Sequence, residues 1–292
     1  MKYLLVLLAG CVGFENNGTD WQDFSTITGT LATEVGPDPA PRDPSCTLRV
    51  ATFNVHFGDD IPYLASQIQA SALATADVIF IQEIRRFPDT EPESRAQHLA
   101  ELLGTTWLYA PAHTVDGNGV HGLAIMSRYP LRSPRIRQLP YLNQINEEQR
   151  IAITAEMLVG DQTIPIVDVH LDTRLAPADR IYQLDPAIHD VGDRMVIGGD
   201  FNTLPWTWVE SGVPVMASEA VLEKQAEVLD DFMGQNSFAQ AVSADVVTSR
   251  SPVFDIRLDN VYARQISIAS GAVEHVDGSD HWPVYADISI CD

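Results

Sequence analysis

Between positions 196 and 203 the chain runs Val, Ile, Gly, Gly, Asp, Phe, Asn, Thr. An apolar run stops at two glycines, and then a carboxylate (Asp200) and an amide (Asn202) arrive two residues apart. The run predicts a buried strand over 195–197. The glycines predict a turn at its C-terminal end, where backbone can come close to a ligand. Residues two apart in extended chain share a face, so Asp200 and Asn202 would point into one space and suit a water, a metal or a phosphate. The competing reading is a plain polar turn, because Gly, Asp, Asn and Thr are ordinary turn residues. The other strand ends decide between the two. Asn54 follows Thr52 and Phe53, Glu83 follows Ile81 and Gln82, Asp168 and His170 flank Val169, Asp259 follows Leu258, and Asp280 and His281 enter the last strand.

These residue types fit phosphoester hydrolysis. A hard divalent ion takes oxygen ligands, one or two carboxylates plus water and substrate phosphate. Glu83 and Asn54 can supply them. An ionised carboxylate among Ile, Phe and Val is costly unless a cation compensates it. Two histidines, His170 and His281, can act as acid and base near neutral pH. Each needs its second ring nitrogen fixed, and Asp259 is a candidate partner for His281. Asp200 and Asn202 can align water and hold a phosphoryl oxygen. Taken singly, Asn54 could be a satisfied buried amide, His170 a core histidine and Asp259 a turn cap. His56, His98, His113, His121, His189 and His275 show no partner pattern and are expected at the surface or in supporting positions. Arg128 and Arg150 could touch phosphate, but sheet-edge salt bridges are the simpler expectation. Trp206, Trp208 and Tyr141 could line a groove or merely pack.

The elements that must position these residues follow from hydrophobic periodicity and Gly/Pro punctuation. Strands are predicted over 48–56, 77–84, 106–110, 122–127, 136–139, 151–158, 164–171, 195–197, 258–263 and 282–290. Helices are predicted over 61–75, 91–103, 177–191 (with Pro186 as an interruption) and 217–232. No repeat or interior linker is visible. Strands mixed with helices along the whole length favour one α/β domain with sheets packed face to face and helices outside. The order does not alternate strictly, which argues against a barrel or a doubly wound sheet.

The 292 residues are 45% hydrophobic, enough for one large core or two small ones. Asp plus Glu number 40 against 18 Lys plus Arg, a formal net charge of -22. A chain this acidic will not lie along a polyanion by charge alone, so no stable nucleic-acid complex is expected. It can still bind a phosphate through a metal, which inverts the local field. At the N-terminus, Lys2 supplies a positive start, Tyr3 to Leu8 a short apolar run and Ala9-Gly10-Cys11 a small-residue exit. The Leu8 to Cys11 ending resembles a bacterial lipobox, which implies cleavage before Cys11 and lipidation of its sulfur. A plain secretory signal or a buried strand is the alternative. Residues 12–45 are polar and rich in Gly and Pro, and predict a tether between lipid and a domain over 46–292. With Cys11 acylated, Cys46 and Cys291 remain. In an oxidising compartment they could pair and clamp the domain's ends, or stay as two thiols.

The ordered set is specific where its single pieces are not. Thr52 to Val55, Ile81 to Glu83, Gly122 to Arg128, Val169 to Leu171, Gly198 to Thr203, Arg257 to Val261 and Ser279 to Val284 together resemble the endonuclease/exonuclease/phosphatase superfamily. That superfamily includes deoxyribonuclease I, apurinic endonucleases, neutral sphingomyelinases and inositol polyphosphate phosphatases. The resemblance implies a four-layered α/β sandwich of two packed, mostly antiparallel sheets flanked by helices. It implies Mg²⁺ (or Mn²⁺) held by Glu83 with Asn54 nearby and Asp280 contributing. It implies Asp200 and Asn202 on the attacking water and phosphate, and His281, oriented by Asp259, as a base or phosphate contact. His170 matches the branch that keeps a second histidine, and Arg85 resembles a substrate-contacting arginine. No clear glutamate is present to partner His170; Asp116 and Asp168 are the candidates, or the role is missing.

The expectation is a metal-dependent phosphoesterase, in particular a monomeric phosphodiesterase anchored at the cell envelope through its N-terminal lipid. An extracellular endonuclease and a non-catalytic binding lipoprotein are the alternatives. Neither a Gly-x-Ser-x-Gly elbow nor a phosphate-cradling Gly-Lys-Ser/Thr loop is present.

Overall fold

The structure, a computed structural model, describes residues 21–22, 33–142, 148–189, 191–204, 206–208, 214–216, 225–250 and 256–291. The lipobox and Cys11 lie outside the described residues, as does the first part of the helix expected over 217–232. Among the described residues no helix is long and apolar enough to cross a membrane.

Thirteen strands build two sheets. In chain order they are β1 (Glu34–Val35), β2 (Thr47–Asn54), β3 (Val78–Arg86), β4 (Thr106–Val115), β5 (Gly119–Ser127), β6 (Leu131–Gln138), β7 (Ile151–Val159), β8 (Gln162–His170), β9 (Met195–Asp200), β10 (Phe238–Gln240), β11 (Asp259–Arg264), β12 (Ser267–Val273) and β13 (Val284–Ser289). The seven-stranded sheet has the order β12-β13-β2-β3-β5-β4-β1, and the six-stranded sheet β10-β11-β9-β8-β7-β6. Each sheet holds one parallel pair, β2 with β3 and β8 with β9, and is otherwise antiparallel. Two further short pairs stand outside them, Trp21–Gln22 with Tyr141–Leu142 and Trp206–Trp208 with Pro214–Met216.

Three apolar clusters fix the layers. Val50, Phe80, Ile125, Ile153, Ile166 and Val261 belong to the core between the sheets. Helices α1 (Ile61–Gln69) and α2 (Arg95–Leu103) bury Leu64, Ile68 and Leu99 against Phe53, Ile79 and Ile81 on the outer face of the larger sheet. Helices α3 (Pro177–Ile188) and α4 (Gln225–Gln235) do the same with Leu184, Leu229 and Met233 against Val167, Ile197 and Tyr262 on the smaller one. Apolar residues alternating between two buried faces produce this helix–sheet–sheet–helix order. It is the four-layered sandwich expected from the sequence.

Several boundaries move for identifiable reasons. Ser94 caps α2 by accepting from Gln97 N, so the helix starts at Arg95 and not near 91. The segment 61–75 breaks after Gln69, and Ser71 caps a separate 3₁₀ turn over Ala72–Thr75. Pro186 sits inside α3 near its end, and the helix stops at Ile188. The tether expected over 12–45 is docked at its C-terminal end. Glu34 and Val35 pair with Tyr109 and Leu108, and the Glu34 carboxylate accepts from Arg86 and Ser94. Cys46 and Cys291 form a disulfide that joins the start of β2 to the chain just past β13.

The two glycines do not make a turn. β9 runs through them to Asp200, with Gly198 opposite Asp168 and Gly199 opposite Val169. A Cβ on Gly198 would lie 2.3 Å from the Phe80 ring of the facing sheet, and one on Gly199 would lie 2.2 Å from the Val169 carbonyl. Close approach, not turn geometry, requires glycine here.

Candidate active site

The strand ends expected to carry chemistry meet at one end of the sandwich. A cleft of about 460 Å³ is lined by Glu83, Arg85, His170, Asp200, Asn202, Asp280 and His281. His56, Phe57, His113, His121 and Arg150 line it too. A larger groove of about 610 Å³, by Arg135, Arg137 and Thr154 on the smaller sheet, contains none of these residues.

The smaller sheet supplies its residues from straight strand ends. His170 ends β8, Asp200 ends β9 and pairs in register with both His170 and Asp259, and Asp259 begins β11. Asn202, just beyond, takes a positive φ of 49°. Its backbone N–H donates to Asp200 Oδ1 at 2.9 Å, and its side-chain amide donates to the Leu171 carbonyl at 2.7 Å. Asn202 thus fixes the Asp200 carboxylate.

The larger sheet uses a different device. The β3–β5 register slips between Ile81 and Ile84, and Glu83 in that bulge has φ 64°. Bulges re-aim side chains near active sites, and a non-glycine residue held there stores about 1–3 kcal/mol of strain. Glu83 is thereby turned toward Asn54 at the end of β2. The Asn54 amide donates to Glu83 Oε1 at 3.1 Å and to Asp200 Oδ2 at 2.9 Å. Ser279 donates to the Asn54 carbonyl and accepts from His281 N, tying the last turn to β2.

His281 Nδ1 lies 2.8 Å from Asp259 Oδ2, and its Nε2 lies 3.8 Å from Asp200 Oδ2. Burial opposes the charged ring, but Asp259 and then Asp200 override it and push His281 up to about 10. Burial pushes Asp200 up to about 7 against the pull of His281. Burial, reinforced by Arg150, holds His170 well below the usual histidine range.

The partner of His170 is none of the carboxylates proposed for it. Asp168 is fully buried and accepts from Gln82 of the facing sheet at 2.6 Å, while Gln82 also bonds Thr52. It belongs to a polar bridge between the sheets beneath the cleft. Instead, Arg150 Nη1 lies 3.1 Å from His170 Nδ1 and 3.4 Å from its Nε2. Nε2 lies 3.4 Å from Asp200 Oδ2 and 3.9 Å from Glu83 Oε1. Arg150 makes the expected kind of salt bridge, to Glu148 at 3.5 Å, and also lines the cleft; Arg128 binds the Ala74 and Ala76 carbonyls away from it. Asp280 sits at the mouth, its side chain 57% exposed, 3.1 Å from His56 Nδ1. Its carboxylate is not part of the clusters that could hold a metal among the described residues, Glu83–His170–Asp200 and Asp200–Asp259–His281. Arg85 stacks its guanidinium 3.5 Å above the Phe57 ring.

A hard cation fits this donor set. Two carboxylates, Glu83 and Asp200, converge on one amide nitrogen and one imidazole, and clustered, mostly buried oxygens of this kind suit a divalent ion.

Sequence reasoning set Arg150 aside as a salt bridge and missed His56, His113 and His121 at this cleft. Arg150 lies just before β7, and the two histidines of β4 and β5 face each other across a bulge that periodicity does not reveal.

Comparison with known proteins followed the geometry. The family described as Endonuclease/Exonuclease/phosphatase matches residues 51–281. No curated protein matches the chain significantly. Among solved structures, an endonuclease/exonuclease/phosphatase from Beutenbergia cavernae superposes with TM-score 0.64 at 22% identity, covering 84% of this chain and 72% of that one. D. rerio TDP2 complexed with single strand DNA product gives 0.58 at 16% identity, covering 84% and 100%. A mannosyl-6-phosphatase from Bacteroides thetaiotaomicron gives 0.56 at 14% identity, covering 83% and 100%. At these identities the likeness is one of fold.

Proposed function

The chain belongs to the Endonuclease/Exonuclease/phosphatase family, hydrolases of phosphate esters that use a divalent metal, and from that premise we propose that it is a phosphodiesterase held at the cell envelope by its N-terminal lipid. The observation that carries the catalytic reading is convergence. Asn54, Glu83, His170, Asp200, Asn202, Asp259 and His281, from both sheets, gather at one cleft. Small or lipid-borne diesters suit a cleft of about 460 Å³ in a chain of net charge -22 better than long nucleic acid does.

Glu83, with Asn54 and Asp200 beside it, would hold the divalent ion. Bound there, the ion would neutralise charge on a phosphoryl oxygen. Asp200, with its proton affinity near neutrality, is placed to orient water and take its proton. Asn202 holds that carboxylate in line through its backbone N–H, with His170 Nε2 3.4 Å away. His281 stays protonated at neutral pH, so it acts as a cationic contact to phosphate and as proton donor to the departing alkoxide, not as the base. Asp259 keeps its ring oriented. Arg85 and Arg150, which also line the cleft, add donors for phosphate oxygens.

The test is hydrolysis of bis-p-nitrophenyl phosphate beside p-nitrophenyl phosphate, with and without EDTA, followed by sphingomyelin, cyclic nucleotides, RNA and plasmid DNA. Diester turnover abolished by EDTA supports the proposal. Turnover of the monoester alone would replace phosphodiesterase by phosphatase. No metal-dependent turnover on any substrate would leave the binding lipoprotein.

A further inference from the structure

His121 has an unusual position for a buried histidine. It lies on β5, is 8% exposed, and is in register with Arg85 on β3. Its Nε2 is buried and has no hydrogen-bond partner among the described residues. That nitrogen faces Glu83 Oε2 at 3.8 Å, beyond hydrogen-bond reach. A buried ring nitrogen and a carboxylate oxygen therefore face each other with no group of the described residues bridging them.

Asn54 and His170 stand near the other carboxylate oxygen, Oε1. His121 is left on the Oε2 side, with a ring nitrogen that no described residue uses. Two ligands about 2.1 Å from one ion lie about 3–4 Å apart, so the observed gap needs little movement.

We propose that His121, through Nε2, is a direct ligand of the divalent ion on Glu83, and that this imidazole makes the site prefer a borderline ion such as Zn²⁺ or Mn²⁺ over Mg²⁺. Imidazole suits such ions, whereas Mg²⁺ favours all-oxygen, water-rich shells. The proposal rests on the metal-dependent reading above and adds a ligand and an ion preference to it.

The experiment uses the full chain stripped of metal. Mn²⁺ and Mg²⁺ affinities are measured by competition with an indicator, and ¹⁴N couplings of bound Mn²⁺ by pulsed EPR, for the parent, His121→Ala, His121→Gln and Glu83→Gln. His121→Gln retains side-chain volume should the alanine variant not fold. The expected result is a Mn²⁺ affinity at least tenfold weaker in the His121 variants, Mg²⁺ affinity changed less than about twofold, and loss of one imidazole ¹⁴N coupling. Unchanged Mn²⁺ affinity and unchanged ¹⁴N couplings in a folded His121 variant, with Glu83→Gln impaired, would overturn the His121 assignment alone. Unimpaired binding in Glu83→Gln would overturn the metal site itself.

Discussion

The two halves of the cleft are built by opposite means. Asp200, Asp259 and His170 stand at the ends of regular strands in the smaller sheet, locked by register and by Asn202. Glu83 reaches the same space only through a bulge and a left-handed backbone, with His121 and Arg85 around it. The smaller sheet supplies a carboxylate near neutrality, and the cationic His281 reaches it from the turn before β13 of the larger sheet. Strain is spent only where a carboxylate must be re-aimed.

Separating the halves by mutation gives the largest expected effects. His281→Ala should lower kcat about 10²–10⁴-fold at any metal concentration. Glu83→Gln should instead raise the metal concentration needed for half-maximal rate by about 10–100-fold. Equal behaviour of the two variants in steady-state assays over a metal series would erase the distinction. Next in size is the pH profile of kcat/KM, expected to rise through about 7 as Asp200 loses its proton and to fall through about 10 as His281 loses its own. Asp259→Asn removes a charge that raises His281, so the alkaline limb should move toward neutrality. An unmoved limb would take His281 out of the profile.

A smaller effect concerns stability. Asp200 has its folded pKa raised to about 7, so its contribution is complete below the ordinary carboxylate range and disappears as pH rises through about 7. That of His281 is complete below the usual histidine range and disappears through about 10. A cation replaces those missing protons, so the rise in Tm on adding Mn²⁺ should be larger at pH 8 than at pH 5. Calorimetry showing the reverse order would contradict this electrostatic picture. Smallest, Gly198→Ala should cost about 1–3 kcal/mol in denaturant unfolding, because its Cβ meets Phe80 across the sheets.

The half at regular strand ends was the legible one. The apolar runs that end in Asp200 and His170, and the one that Asp259 opens, carry their own signal, since strand period and polarity agree there. The layered sandwich followed from the same alternation. Glu83 was visible as a costly carboxylate among apolar neighbours, but the bulge that turns it was not, because a one-residue slip leaves no compositional trace. His121 was invisible as a site residue, and Arg150 was set aside as a salt bridge, for a related reason: their partners lie on other strands. Gly198 and Gly199 misled, as glycine serves close packing and turns equally well. Asp168 misled because sharing an alternation face with His170 does not say which sheet's side chain arrives opposite it.

The most direct test is a metal titration of bis-p-nitrophenyl phosphate hydrolysis by Glu83→Gln and His281→Ala side by side. Raising Mn²⁺ should restore most of the turnover of Glu83→Gln and almost none of that of His281→Ala. Recovery of His281→Ala by added metal, or wild-type turnover indifferent to EDTA, would contradict a cleft in which Glu83 serves cation binding and His281 proton transfer.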